Sequence, residues 1–262
     1  MSRYLLGIDQ STQGTKALLF NEGGDSIARC DLPHRQIIDD KGWVEHDLEE
    51  ILHNTVEVAK MVIEQSGIDK SEVVGIGISN QRETAAVWDR ASGKPVYNAI
   101  VWQCARGAQI CAEIEQAGHA DQIKRATGLN LSPYFSAAKI AWVLRNCSGV
   151  QQRAREGALC CGTIDSWLVY RLTGGASFKT DYSNASRTQL FNISTLHWDE
   201  EVCGWFDIPV DCLAEVCGSD SLFGETDLMG FFDHPIPIHG VLGDSHAALF
   251  GQGCHRPGMI KT

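Results

Sequence analysis

The chain opens on short apolar runs separated by polar turns. Tyr4 to Ile8 is apolar, Asp9-Gln10-Ser11-Thr12-Gln13-Gly14 is polar, and Ala17 to Phe20 is apolar again. A second turn, Asn21-Glu22-Gly23-Gly24, leads to a third run over Ser26 to Leu32. Short runs bounded by glycine and polar residues predict a three-stranded β-meander. Asp47-Leu48-Glu49-Glu50 has the form of a helix start with a capping box. Ile51, Val56, Val58, Ala59, Val62 and Ile63 follow at helical spacing, so a helix is expected over 47–65. Val73 to Ile78 predicts a buried strand. Thr84 to Trp88 predicts another, stopped by the turn Asp89-Arg90-Ala91-Ser92-Gly93.

Beyond residue 105 the pattern turns mainly helical, with helices expected near 107–117, 136–146 and 160–173. A short strand over Ile236 to Ile238 leads into Gly243-Asp244, and Ala247 to Gly251 begins a further helix. Strands, a helix, more strands and then helices predict a mixed α/β fold. With 262 residues, 44% of them hydrophobic and 21% charged, the chain has the composition of a soluble globular protein. Its formal net charge of -11 argues against a nucleic-acid surface, which needs clustered Lys and Arg. No run approaches the ~20 apolar residues of a spanning helix, and Met1-Ser2-Arg3-Tyr4 passes at once into a strand rather than a cleavable leader. A cytoplasmic protein with no membrane partner is expected. The ten cysteines form no C-x-x-C pair, so buried reduced thiols are expected rather than a zinc site.

Five segments carry candidate chemistry. The first hairpin places Thr12, Gln13, Gly14, Thr15 and Lys16 where backbone N–H groups, hydroxyls and a cation can meet phosphate oxygens. Asp9, at the end of its strand, is placed to hold a hydrated Mg²⁺. The G-x-x-x-x-G-K-[ST] pattern is missing, so this is no Walker A loop. Arg82 and Glu83 follow the Val73 to Ile78 strand, where α/β domains build ligand crevices. As a paired donor and acceptor they suit vicinal hydroxyls. Trp102 can wall the C–H face of a polyol, and Tyr134 can add a hydroxyl. Asp244, between a strand and a helix start, suits a base that takes the proton of an attacking hydroxyl, although a plain helix cap would use the same residue. His246 is adjacent enough to be confused with that base.

Together and in order, Asp9 to Lys16, Gly42 to Asp47, Asn80 to Thr84, Asn98 to Cys104, Asp181 to Thr188 and Gly243-Asp244 resemble the FGGY carbohydrate kinases over essentially the whole chain. Within that family the likeness is greatest to the members that phosphorylate glycerol. The resemblance implies an actin/hexokinase-like (ribonuclease-H-like) ATPase fold, with a mixed β-sheet flanked by helices, and ATP and Mg²⁺ as cofactors. It implies Asp244 as base, Asp9 as the metal-associated carboxylate, and residues 12–16 as the phosphate hairpin. Arg82, Glu83, Trp102, Tyr134, Asp244 and Ser245 fall at polyol-contacting places. Two departures stand out: Lys16 occupies a position usually held by Arg, and Ser245 one usually held by Gln. The shorter Ser245 leaves room for a longer polyol or a ketose.

The resemblance further implies that residues 1–262 are an N-terminal domain, with an adenine-binding C-terminal domain outside this chain. The abrupt end at Lys261-Thr262 reads as a cut within a longer structure. Glycerol is the first substrate expected. A xylulokinase-like activity on a four- or five-carbon polyol or ketose is the alternative. Outside the kinases, an actin-like nucleotide switch would share the hairpin without needing Arg82, Glu83, Trp102 and Tyr134. A carbohydrate-binding module would need neither Asp9 nor Asp244. A homo-oligomer is compatible with all of these readings.

Overall fold

The computed structural model describes residues 3–261. The expected meander is present as β1 (Tyr4–Gln10), β2 (Gly14–Phe20) and β3 (Ser26–Pro33). Two short strands follow, β4 (Ile37–Ile38) and β5 (Val44–His46), before helix α1 (Leu48–Ser66). The Asp47 carboxylate caps α1 by accepting the N–H groups of Glu49 at 2.8 Å and Glu50 at 3.4 Å. Only this half of the expected capping box forms. Glu50 turns away to accept from the backbone N–H and Nε of Arg35 at 3.2 and 3.3 Å.

After α1 come β6 (Val73–Asn80), β7 (Ala85–Asp89) and β8 (Ala99–Ile100), then α2 (Ala108–Gln116), α3 (Ala120–Thr127), α4 (Ser136–Asn146) and α5 (Val150–Arg155). The helix expected over 160–173 is corrected: its start is strand β9 (Leu159–Thr163), and α6 covers only Ile164–Leu172. Thr163 ends the strand and caps the helix, its side chain and that of Ser166 each satisfying the other's backbone. A continuous apolar run, Leu159-Cys160-Cys161, does not reveal by periodicity which of the two it forms. The remainder is β10 (Lys179–Asp181), α7 (Tyr182–Ala185), β11 (Phe191–Asn192), β12 (His197–Trp198), α8 (Glu200–Trp205), β13 (Glu215–Cys217), β14 (Gly224–Thr226), β15 (Ile236–Gly243) and α9 (Asp244–Gly251). The last strand is longer than the expected three residues, and the last helix starts at Asp244 rather than Ala247.

The main sheet has six strands in the order β14-β15-β6-β1-β2-β3. β1 pairs antiparallel with β2 and parallel with β6, and β6 pairs parallel with β15. Alternation along each strand gives it one packed face: Leu6, Ile8 and Gln10 of β1, Thr15, Ala17 and Leu19 of β2, and Ile76, Ile78 and Asn80 of β6 are all buried. Both α1 and α6 share the core on this face, and Trp167 Nε1 of α6 donates to the Leu48 carbonyl of α1 at 3.3 Å. A second sheet, β4-β5-β8-β7-β9, supports a separate core with α2 and α4 through Val87, Ile100, Ile114, Ile140 and Leu144. β1, β6 and β15 run parallel, so their carboxyl ends emerge together at one edge. That edge carries the candidate site.

Candidate active site

Register alone brings the two candidate aspartates to opposite sides of β6. Asp9 of β1 lies level with Ser79, and Gly243 of β15 lies level with Asn80, one residue before Asp244. Asp9 is on the face opposite the core, where its carboxylate accepts from Ser79 Oγ at 3.2 Å and meets Lys16 Nζ at 3.2 Å. Lys16 is its cross-strand partner in the hairpin.

The hairpin turn is closed by Ser11, whose N–H and hydroxyl both donate to the Gly14 carbonyl at 2.9 Å. Gly14 is glycine for a packing reason: a Cβ there would stand 2.5 Å from the Leu32 carbonyl of β3. Thr12 Oγ1 accepts from Trp102 Nε1 at 3.0 Å, so the hairpin and the expected polyol wall are bonded to each other. Gln13 lies in the same exposed turn. Thr15 is the exception among the hairpin candidates. It falls on the packed face and its hydroxyl is fully buried, so the side chain does not open to the mouth of the hairpin.

Arg82 and Glu83 leave the end of β6 in a tight reversal, with Thr84 N–H donating to the Arg82 carbonyl at 2.7 Å. Glu83 takes φ 61°, a left-handed conformation uncommon for a residue with a side chain and often retained at functional sites. Arg82 was expected to face substrate hydroxyls. In this structure its Nε donates to Asp244 Oδ1 at 2.8 Å and its Nη2 to Ser245 Oγ at 2.9 Å. Its aliphatic stem crosses Gly243, where a Cβ would lie 2.5 Å from Arg82 Cδ. Glycine before the proposed base is therefore required by the arginine that holds it. Asp244 is the first residue of α9, with Gly243 in the capping position. The plain helix-cap reading of Asp244 does not hold, since its carboxylate accepts from Arg82 and from the adjacent Ser245 N–H.

Glu83 is almost wholly buried, and its carboxylate accepts from Arg187 Nε at 2.6 Å. Arg187 also lies over Phe135 at 5.0 Å and Tyr134 at 6.0 Å. The Tyr134 and Trp102 rings stand 5.6 Å apart. Burial, and after it the charge of Glu83, pushes the Tyr134 phenol above its usual range, which keeps the hydroxyl a donor. The His246 imidazole is pushed down by burial and by Arg82, so it stays neutral beside Asp244. The residues expected on the polyol side thus cluster, and Arg187 joins them. Sequence reasoning passed over Arg187 although its block, Asp181 to Thr188, was legible. The three-residue strand before that block gives no periodic signal.

Beneath these groups is a buried polar network. Asp165 accepts from Thr163 and Thr180 hydroxyls, each at 2.6 Å, and Asn80 and Asn184 exchange hydrogen bonds at 2.9 and 3.0 Å. Asp181 caps α7 through the N–H groups of Ser183 and Asn184, and Ser183 Oγ accepts the Gly243 N–H at 2.8 Å. The strand end that bears Asp244 is anchored through this chain of contacts. Asp9 offers one carboxylate, about one-third exposed, beside the hairpin. Mg²⁺ is commonly held by one or two carboxylates together with substrate phosphates and water, and Asp9 fits that requirement. Among the described residues no group of three or more His, Cys, Asp or Glu converges on a metal position.

The chain is similar throughout to known sugar and polyol kinases. It is 54% identical over 259 residues to glycerol kinase 1 of Thermotoga maritima and 48% identical over 260 residues to glycerol kinase of Stenotrophomonas maltophilia, 99% of this chain being covered in each case. It spans about half the length of these relatives, 52% of each. The solved glycerol kinase of Plasmodium falciparum with ADP superposes with a TM-score of 0.90 at 36% identity, over 96% of this chain and 50% of that one. A xylulose kinase of Lactobacillus acidophilus, 22% identical with a TM-score of 0.85, shares the fold. The actin/hexokinase-like expectation is met. Residues 4–251 match the N-terminal domain of the FGGY family of carbohydrate kinases, and the chain belongs to that family.

Proposed function

We propose that this chain binds a small polyol, glycerol first, and presents one of its hydroxyls to the γ-phosphoryl of ATP. The observation that carries this reading is the convergence of Asp9, Arg82 and Asp244 at the carboxyl ends of three neighbouring parallel strands, the place where open α/β sheets bind ligands. Glycerol is favoured over a sugar by similarity to glycerol kinases at about half identity. Trp102 and Tyr134 would wall the carbon chain, and Glu83, held by Arg187, would accept from its hydroxyls. Arg82 fixes the Asp244 carboxylate, which takes the proton as the hydroxyl attacks. The hairpin N–H groups of Thr12 and Gln13 would meet phosphate oxygens, with Lys16 adding a positive charge beside Asp9. Asp9 would hold Mg²⁺, which when bound supplies positive charge to the phosphoryl oxygens. The actin-like switch reading has no use for the Arg82, Glu83, Trp102 and Tyr134 cluster.

Calorimetry of this chain with glycerol, xylulose and Mg–ATP in turn tests the binding half of the proposal, and glycerol is expected to bind more tightly than xylulose. In an enzyme that also contains the second half of its relatives' length, Asp244→Asn should cost roughly 10² to 10⁴ in kcat, with glycerol affinity nearly unchanged. Retention of more than about a tenth of kcat removes Asp244 from the role of base.

A further inference from the structure

One buried charge has no part in this scheme and lies directly behind it. Lys139, in the second turn of α4, is fully buried. Its ammonium donates to the backbone carbonyls of Pro133 at 2.7 Å, of Tyr134, and of Phe135 at 3.3 Å. A single side chain thus gathers three successive carbonyls of the segment that carries Tyr134. The neighbouring residue Ser136, also fully buried, donates its hydroxyl to the Glu83 carbonyl at 3.1 Å. The start of α4 is thereby tied to both walls of the polyol cluster, the Tyr134 segment and the Glu83 reversal.

Helix formation does not account for a lysine here. A cation near a helix N-terminus opposes the helix dipole. Its loss would take one shared donor from three successive backbone carbonyls at once, so what the lysine contributes is tied to where that backbone sits. What an apolar residue cannot do is draw three carbonyls to one point. We propose that Lys139 is a positioning residue for polyol selection: it fixes the Pro133–Phe135 backbone, and through it the Tyr134 ring against Trp102 and Glu83. This rests on the polyol reading of the site given above.

Burial lowers the Lys139 ammonium to about 7. The groups facing it are Cys104 after β8, Glu83 after β6, Cys111 on α2 and Arg106 in the loop before α2. The Glu83 carboxylate favours the charged form, and Arg106 opposes it. The grip on the carbonyls is therefore strongest below neutral pH and loosens above it.

The test uses this chain labelled with fluorotyrosine, so that its five tyrosines report by fluorine resonance, and compares wild type with Lys139→Met. A Tyr134→Phe variant assigns the Tyr134 line. In Lys139→Met the Tyr134 line should shift and broaden while those of Tyr4 and Tyr170 stay in place. In wild type the same line should move with a midpoint near pH 7, a dependence the methionine variant lacks. Glycerol affinity should fall at least about tenfold in Lys139→Met, and Mg–ATP affinity should stay within about twofold. An unmoved Tyr134 line, or equal losses for both ligands, overturns the proposal. If Lys139→Met does not fold, Lys139→Gln, which removes the charge and keeps a shorter donor, takes its place, and an unmoved Tyr134 line in that variant overturns the proposal. If wild type binds no polyol, the functional reading fails while the fluorine result still decides whether Lys139 places Tyr134.

Discussion

Glu83 and Ser245 show how much a single side chain decides at this site. The Glu83 carboxylate is buried against Arg187, so Glu83→Gln removes a charge while keeping an oxygen for the Arg187 N–H. Its expected effect is a much larger loss of glycerol affinity than of Mg–ATP affinity, whereas Arg82→Ala, which releases the Asp244 carboxylate, should lower kcat more than either affinity. Equal losses for both ligands in a titration of Glu83→Gln would make Glu83 structural. Ser245 Oγ takes the outer N–H of Arg82 at 2.9 Å, a bond that a glutamine amide oxygen can also accept. Ser245→Gln should therefore keep Arg82 in place, fill the space beside it, and move the glycerol preference over four- and five-carbon substrates by about tenfold, or ~1.4 kcal/mol. An unchanged ratio in competition assays would place selectivity elsewhere. Most of this cluster was legible because Asp9, Arg82, Glu83 and Asp244 each follow an apolar run. Arg187 and Lys139 were not. One follows a short strand without a pattern, and the other reads as an ordinary polar position on an amphipathic helix until its burial is seen.

Among the elements, α1 and α4 follow their sequence signals nearly to the residue, β1 and β2 run two to three residues further into the hairpin turn than their apolar runs, and β9 with the start of α6 departs altogether. The reason is local: α1 has a cap, a stripe and a polar face, whereas β9 is buried on both sides. The polar network under β6 was equally hidden, since Asn80, Asp165 and the Asp181–Asn184 pair are far apart in the chain and meet only when β6, α6 and α7 pack. It makes a distinct prediction. Burial, and then Asp181, raise the Asp165 carboxyl to about 7, above its unfolded value of 3.8. The folded state thus binds the extra proton between these limits, and this contribution to stability is lost as pH rises from about 4 to 7. His46 acts in the opposite sense. Burial lowers it to about 3, so the unfolded state binds the extra proton below the ordinary 6.5, and stability is lost as pH falls from 6.5 towards 3. The two partly cancel in wild type, so the comparison must be with Asp165→Asn. Between pH 4.5 and 7 that variant should lose less stability than wild type, by up to about 1.4 kcal/mol per pH unit, in urea titrations. Parallel pH profiles would mean that Asp165 does not titrate on folding.

At the scale of the whole molecule the order of strands and helices revealed the fold class, while the second sheet stayed hidden because its strands run to only two to five residues. The two sheets have different tasks. The six-stranded sheet presents Asp9, Arg82 and Asp244, and the second sheet with α4 brings up Trp102 and Tyr134 from the other side. Each sheet has its own buried cluster, so the chain has cores enough to fold without help. It nevertheless spans about half of its curated relatives. Phosphoryl transfer depends mostly on positioning and electrostatics, and both require the triphosphate to be gripped and water excluded. In this chain the proposed grip on phosphate is the hairpin and one carboxylate, both open to solvent on one side. The expectation is a chain that melts cooperatively and binds glycerol but turns over far below the roughly 1 to 100 s⁻¹ usual for kinases. Purified chain with saturating Mg–ATP and glycerol, assayed for phosphorylated product, decides it. Turnover within that range would mean that residues 1–262 hold nucleotide and exclude water by themselves, and that the proposed division between a polyol-presenting part and a nucleotide-gripping part is wrong.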